Sequence, residues 1–170
     1  VGDMVDKHEL RRISLIEDMP DSMLEVLGGA GTLKLFSEGT RLFSEGQVLD
    51  QIYMVLTGTI LLEVQPDPDV IITLDSLESG ACFGLSSMIP GGASQSSALC
   101  AETCELICFP AQELLTLLEE HQDLGYQFMY RIMQIFKARM DHRTRLFLRA
   151  LQNHPELQHL FSSQEGAASR

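Results

Sequence analysis

The sequence predicts an α+β domain in which helices bracket an all-β body with a barrel core. Three observations carry that prediction. The chain opens and closes on apolar residues spaced by three and four, which is the helical period. Between residues 32 and 109 the pattern changes to short apolar runs punctuated by Gly and Pro. The length of 170 residues and the 45% apolar content suit one core with a helical extension.

Residues 6–28 read as helix, with Leu10, Ile13, Leu15 and Ile16 ahead of a restart at Pro20-Asp21-Ser22. Met23, Leu24, Val26 and Leu27 follow, and Gly28-Gly29 is expected to end the helix as a left-handed cap. The N-terminal helices thus occupy 1–31. The strand candidates are 32–36, 40–43, 50–56, 58–65, 70–75, 81–83, 95–101 and 103–109. Turn signals separate them, among them Thr57-Gly58, Pro66-Asp67-Pro68-Asp69, Ser79-Gly80 and Pro90-Gly91-Gly92. Phe36-Ser-Glu-Gly39 recurs as Phe43-Ser-Glu-Gly46, which gives two similar turns flanking a short strand. Many short strands at regular spacing suggest a sandwich or a jelly-roll barrel over 32–109. Helices return over 110–161, with Pro110 at a helix start and a long helix over 123–151. Its apolar stripe includes Met129, Ile132, Met133, Phe136, Met140, Phe147 and Leu151. A last turn is expected at 155–161 and a frayed tail at 162–170.

The net charge of −12 argues against a nucleic-acid or anionic-membrane surface. It is unevenly spread. Residues 1–122 hold five Lys/Arg against twenty Asp/Glu, and residues 123–151 hold six against two. No Lys or Arg occurs in 42–130, which carries thirteen acidic residues. No apolar run reaches the ~20 residues of a membrane-spanning helix. No apolar leader opens the chain, so a reducing, cytoplasmic setting is expected. The start at Val1 reads as an artificial, processed or domain-boundary end. Cys82, Cys100, Cys104 and Cys108 match no common metal spacing and are read as buried structural thiols, with no metal site. No nucleophile–base pair, ligand set or phosphate loop suggests an enzyme.

The run from Glu38 to Ile60 resembles the first half of a cyclic-nucleotide-binding domain. Gly39, Leu42, Phe43, Glu45, Gly46, Asp50, Tyr53, Val55, Gly58 and Ile60 fit that family's spelling at fixed spacing. The resemblance covers about residues 6–151. It implies a jelly roll whose pocket is covered by the long last helix, which in bacterial regulators of this kind is also the dimer seam. It also implies a phosphate-binding cassette beginning at Phe83-Gly84. In the family a Glu follows that Gly and accepts from the ribose hydroxyl, and an Arg some ten residues on pairs with the cyclic phosphate. Here Leu85 stands at the Glu position, and Ser94, Gln95 or Ser96 stands at the Arg position.

The resemblance therefore implies a ligand pocket of Phe83, Gly84, Leu85, Ser86, Ser94, Gln95, Ser96 and Ser97, with lid contacts from Arg131, Lys137 and Arg139. A homodimer is expected through Met129, Ile132, Phe136 and Met140. The function expected is a non-enzymatic regulatory or sensor domain. Cyclic AMP and cyclic GMP are disfavoured as ligands, because their charged grip is missing, and no cofactor is assigned. A different small-molecule ligand, a ligand-blind interaction module and an unconventional nucleotide mode are the alternatives.

Overall fold

The structure, a computed structural model, describes residues 4–154. The expected turn at 155–161 and the tail at 162–170 lie outside the described residues.

Ahead of the restart at Pro20 the N-terminal segment is less helical than expected. Helix α1 (Lys7–Leu10) is one turn, with the Asp6 carboxylate accepting from the His8 N–H at 2.7 Å. The chain then continues through tight turns with bonds from Ile13 N to Leu10 O, Ile16 N to Ile13 O and Met19 N to Ile16 O. The reason lies in what is buried. Leu10, Ile13, Leu15, Ile16 and Met19 are all almost fully enclosed, and an α-helix with one apolar face cannot hide residues that point in so many directions. Ser14 N also bonds to Gly80 O at 3.0 Å, which ties the segment to the β body. Helix α2 (Asp21–Ala30) follows. Its Asp21 carboxyl is held down to about 2 by the Lys7 ammonium and the Arg11 guanidinium.

Gly28-Gly29 does not end α2, and the cap, Gly31, is extended at φ −86°. Gly28 is instead a packing position. A Cβ there would lie 2.4 Å from Val5 O, and Val5 N donates to Gly28 O at 3.0 Å.

Eight strands follow: β1 (Thr32–Phe36), β2 (Arg41–Phe43), β3 (Gln51–Thr57), β4 (Ile60–Asp67), β5 (Val70–Leu77), β6 (Cys82–Phe83), β7 (Ser97–Cys100) and β8 (Cys104–Pro110). They form two antiparallel sheets, in the orders β1-β8-β3-β6 and β2-β7-β4-β5. This is the strand order of a jelly roll. Among the described residues no ladder joins the two sheets, so the body is a two-sheet roll and not a closed barrel. The repeated turns act alike: Thr40 N bonds to Ser37 O and Gln47 N to Ser44 O, each at 3.1 Å. Gly39 N then donates to Cys100 O and Gly46 N to Ser94 O, both at 2.8 Å, so the twin turns hold the two ends of one segment.

The core between the sheets includes Phe43, Val55, Ile60, Leu62, Phe83, Ala98 and Leu106. Cys104 and Cys108, four apart on β8, belong to it, as even spacing on a strand predicts, and Cys100 joins them from β7. All four cysteines are buried, and none of them is in a disulfide. Helices α3 (Ala111–Glu120) and α4 (Gln122–Gln152) complete the chain.

The chain divides into two compact units between Ile132 and Met133. The first holds α1 to α3, both sheets and the start of α4, where Leu124, Phe128 and Ile132 are buried. The second is the rest of α4, where Met133, Phe136, Met140 and Phe147 are exposed.

Candidate functional site

The cassette begins where β6 leaves β3, with Tyr53 paired to Phe83. Gly84 adopts φ 75°, ψ 18°, a left-handed conformation natural to glycine. A Cβ at Gly84 would also lie 2.7 Å from Gln51 O. This kink starts a single 3-10 turn, Leu85–Met88. Ser87 Oγ closes it by donating to Gly84 O at 2.7 Å.

Leu85, at the position of the expected carboxylate, is only 4% exposed. Its burial is what an isobutyl side chain gains from, and it offers nothing to a ribose hydroxyl. On the far limb Ser94 Oγ donates to Ser96 O at 2.6 Å and accepts from Ser96 N at 3.3 Å. Ser94 is fixed further by its own N–H to Gln47 O at 2.8 Å. Gln95 is exposed and Ser86 half-buried. Ser97 Oγ accepts from Glu45 N at 3.0 Å and from Arg41 Nη1 at 3.2 Å. Among the described residues the buried polar side chains are Ser87, Ser94, Ser96 and Ser97, and all four lie on the cassette or the first residue of β7. Among the described residues no buried side-chain N or O is left without a hydrogen-bond partner.

Beside these hydroxyls stands an aromatic group. Tyr53 stacks on Phe83 with centroids 5.0 Å apart and planes 14° apart, and Phe43 tilts against both at 6.1 Å. Burial pushes the Tyr53 phenol up to about 12, helped by Cys108 and Asp50. The wall next to the cassette is therefore neutral and apolar.

Arg41 is the residue that sequence reasoning missed. The absence of Lys and Arg from 42–130 excludes a cation within the cassette's own run, but not one supplied by the adjoining strand. Strand β2 pairs with β7, Arg41 opposite Leu99 and Phe43 opposite Ala98 with a register shift between them. That pairing brings the guanidinium to Ser97. The signal was present in the sequence, since Arg41 is the residue that borders the gap.

Of the three expected lid cations, Arg131 belongs to the first unit and Lys137 and Arg139 to the second. The Arg131 guanidinium donates to Leu15 O at 3.0 Å and pairs with Asp18, so it is engaged by the N-terminal segment. The same guanidinium holds the Asp18 carboxyl below its ordinary range. In the second unit Lys137 Nζ bonds both oxygens of Asp141, at 2.8 and 2.6 Å, and Arg139 is half-buried on the same helix. Of the expected dimer stripe, Met129, Phe136 and Met140 are exposed, but Ile132 is 3% exposed and belongs to the chain's own core. The reason is phase: Ile132 follows Leu124 and Phe128 at intervals of four, on the buried face.

A cavity of about 370 Å³ lies elsewhere, between α2 and the start of α4, lined by residues that include Met23, Val26, His121 and Asp123. Among the described residues no group of His, Cys, Asp and Glu could hold a metal ion. Among them, too, no helix is long and apolar enough to cross a membrane.

Comparison with solved structures shows the same architecture. A cyclic nucleotide-binding domain from Methylobacillus flagellatus is 20% identical, with a TM-score of 0.79 over 91% of each chain. A cyclic nucleotide-binding-like protein from Brucella abortus is 25% identical over 67% of this chain and 97% of that one, with a TM-score of 0.57. The c-di-GMP responsive regulator CLP of Xanthomonas campestris is 18% identical, with a TM-score of 0.67 over 81% of this chain and 74% of that one. No curated protein matches the chain. The family pattern described as "Cyclic nucleotide-binding domain" matches residues 33–121, from β1 through the cassette to the end of α3. With more than half of its residues in that match, and the jelly-roll order of its strands, the chain belongs to the cyclic nucleotide-binding domain family.

Proposed function

We propose that this chain is a non-enzymatic regulatory domain that has kept the family's roll but does not grip cyclic AMP or cyclic GMP through the usual carboxylate and arginine. The observation that carries the reading is the pair of exchanges in the cassette. Leu85 is buried at the carboxylate position. At the arginine position Ser94 and Ser96 are bonded to each other. A charge-assisted hydrogen bond lost from a site costs roughly 1.5–3 kcal/mol, about 10- to 100-fold in affinity. The loss of the ribose acceptor adds to it. The cassette's Ser, Gln and Gly instead suit an uncharged polar ligand. That relatives of one fold serve different ligands supports such a change, since the Xanthomonas campestris regulator is named for c-di-GMP.

Calorimetric titration of the chain with cyclic AMP and with cyclic GMP tests the proposal. We expect no saturable binding below about 10 µM, which corresponds to roughly −7 kcal/mol. A tighter dissociation constant for either nucleotide overturns it.

A second reading, an interaction module that ignores small molecules, is favoured by the exposed Met133, Phe136, Met140 and Phe147 on α4. It predicts that Phe136→Arg alters assembly while no cyclic nucleotide shifts the melting temperature.

A further inference from the structure

The buried hydroxyls of the cassette are satisfied within the chain. The cavity between α2 and the start of α4, which lies wholly in the first unit, is the opposite case. Its volume of about 370 Å³ falls within the ~300–1,000 Å³ of small-molecule sites. Part of its lining is apolar: Leu124 is 1% exposed, and Met23 and Val26 are half-buried. The rest is polar: the Ser22 hydroxyl, the His121 imidazole, the Gln122 amide and the Asp123 carboxylate. Among the described residues none of these four side chains makes a hydrogen bond or ion pair within the chain. An apolar wall beside several unspent polar groups is the make-up of a ligand site.

The charge of the site decides what it takes. Asp123 is the only carboxylate in the lining, and no Lys or Arg shares it. The cations of the neighbouring elements are already engaged. Lys7 and Arg11 hold Asp21, and Arg131 holds Asp18. Residues 111–130 add Glu113, Glu119 and Glu120 and contain no Lys or Arg. The local field therefore draws a cation and repels an anion. Asp123 also stands in the first turn of α4, where its own charge already answers the helix dipole, so an incoming anion gains little there. On the apolar side the Met23 thioether favours an aromatic partner.

We propose that this cavity binds a small aryl-alkyl amine. Its ammonium group pairs with Asp123, the Ser22 hydroxyl and the His121 imidazole lie within the same cavity, and its ring packs against Met23, Val26 and Leu124. Such a ligand bridges α2 and the first turn of α4, so it stabilises the first unit by linkage. The site is separate from the cassette, and the proposal does not rest on how the cassette is read.

The probes are phenethylamine, its neutral counterpart 2-phenylethanol and its anionic counterpart 3-phenylpropionate. Each is titrated into the isotope-labelled chain and followed by amide NMR. Phenethylamine should shift the amides of Met23, Val26 and Leu124 saturably, with a dissociation constant below about 1 mM, and leave those of Ser94 and Ser96 in place. An exposed ion pair contributes modestly, so the alcohol should bind about two- to fivefold more weakly, and the carboxylate more weakly still. Asp123→Asn should remove the preference for the amine while the alcohol binds as before. Ser22→Trp, at an exposed position, should fill the cavity and abolish the shifts of all three probes, with circular dichroism confirming that the variant folds. Shifts confined to the cassette, no shift around the cavity at about 10 mM amine, or binding of the alcohol or the carboxylate as tight as that of the amine overturns the proposal. Cyclic-nucleotide titration reads the cassette amides alone, so the two results stand or fall separately.

Discussion

Ser94 shows how a small side chain can close a site that a large one would open. Its hydroxyl serves Ser96 O at 2.6 Å and Ser96 N at 3.3 Å, and its backbone is held by Gln47 and Gly46. Ser94→Ala removes that hydroxyl and strands a buried carbonyl, so it should destabilise the fold by about 1–3 kcal/mol. Urea unfolding measures this, and a change below a few tenths of a kcal/mol would mean water replaces the hydroxyl. The loss of the carboxylate at Leu85 is plain in the sequence, because it is a matter of residue identity at a motif position. The arrival of Arg41 at Ser97 is not, because it depends on which strands become neighbours, and β2 and β7 are far apart in the chain. Ile132 shows the same limit at the scale of a few degrees. Several phases of α4 look apolar, and only packing decides which one is buried.

Adjacent glycines on α2 have opposite parts. A Cβ on Gly28 would strike Val5 O at 2.4 Å, whereas nothing lies within 4 Å of one on Gly29. Gly28→Ala should therefore lower stability by more than 1 kcal/mol, as the Val5 strap is pushed away. Gly29→Ala should raise it by about 0.5–1 kcal/mol, as alanine outranks glycine inside a helix. Thermal melts of the two variants decide it, and equal shifts in one direction would refute the distinction. The sequence suggested a cap here because paired glycines usually mark one, and the close backbone approach that explains them is a tertiary fact. The strands were far more legible: β1 falls on the expected 32–36, and the turn glycines punctuate the other seven within a few residues. Their division into two sheets was not, since alternation specifies faces but not neighbours.

At the scale of the molecule, the core between the sheets is sealed around sulfur as well as carbon. Burial raises the Cys100 thiol to about 12, with Cys104 adding to it, and raises Cys108 to about 11 against the pull of Lys34. These thiols stay neutral when folded, whereas in the unfolded chain they lose protons near 9. Stability from this source is present below pH 9 and is lost as pH rises towards 11–12, because the unfolded state ionises first. Urea midpoints should thus fall between pH 8 and about 10.5. An aromatic disulfide reagent should label all four cysteines of the native chain only as fast as the chain opens. Rapid labelling under native conditions would show that the core is not closed.

The placement of β8 between β1 and β3 has a kinetic meaning. Thr32 finds its partner at Cys108, and Met54 finds one at Ile107. During synthesis β1 must wait unpaired, and β3 paired to β6 alone, until residues 104–110 have left the ribosome. The last strand translated is thus the one that zips the first sheet shut. Pairings so distant along the chain make for slow folding, and a nascent polypeptide halted before Cys104 leaves β1 with no partner and β3 with β6 alone.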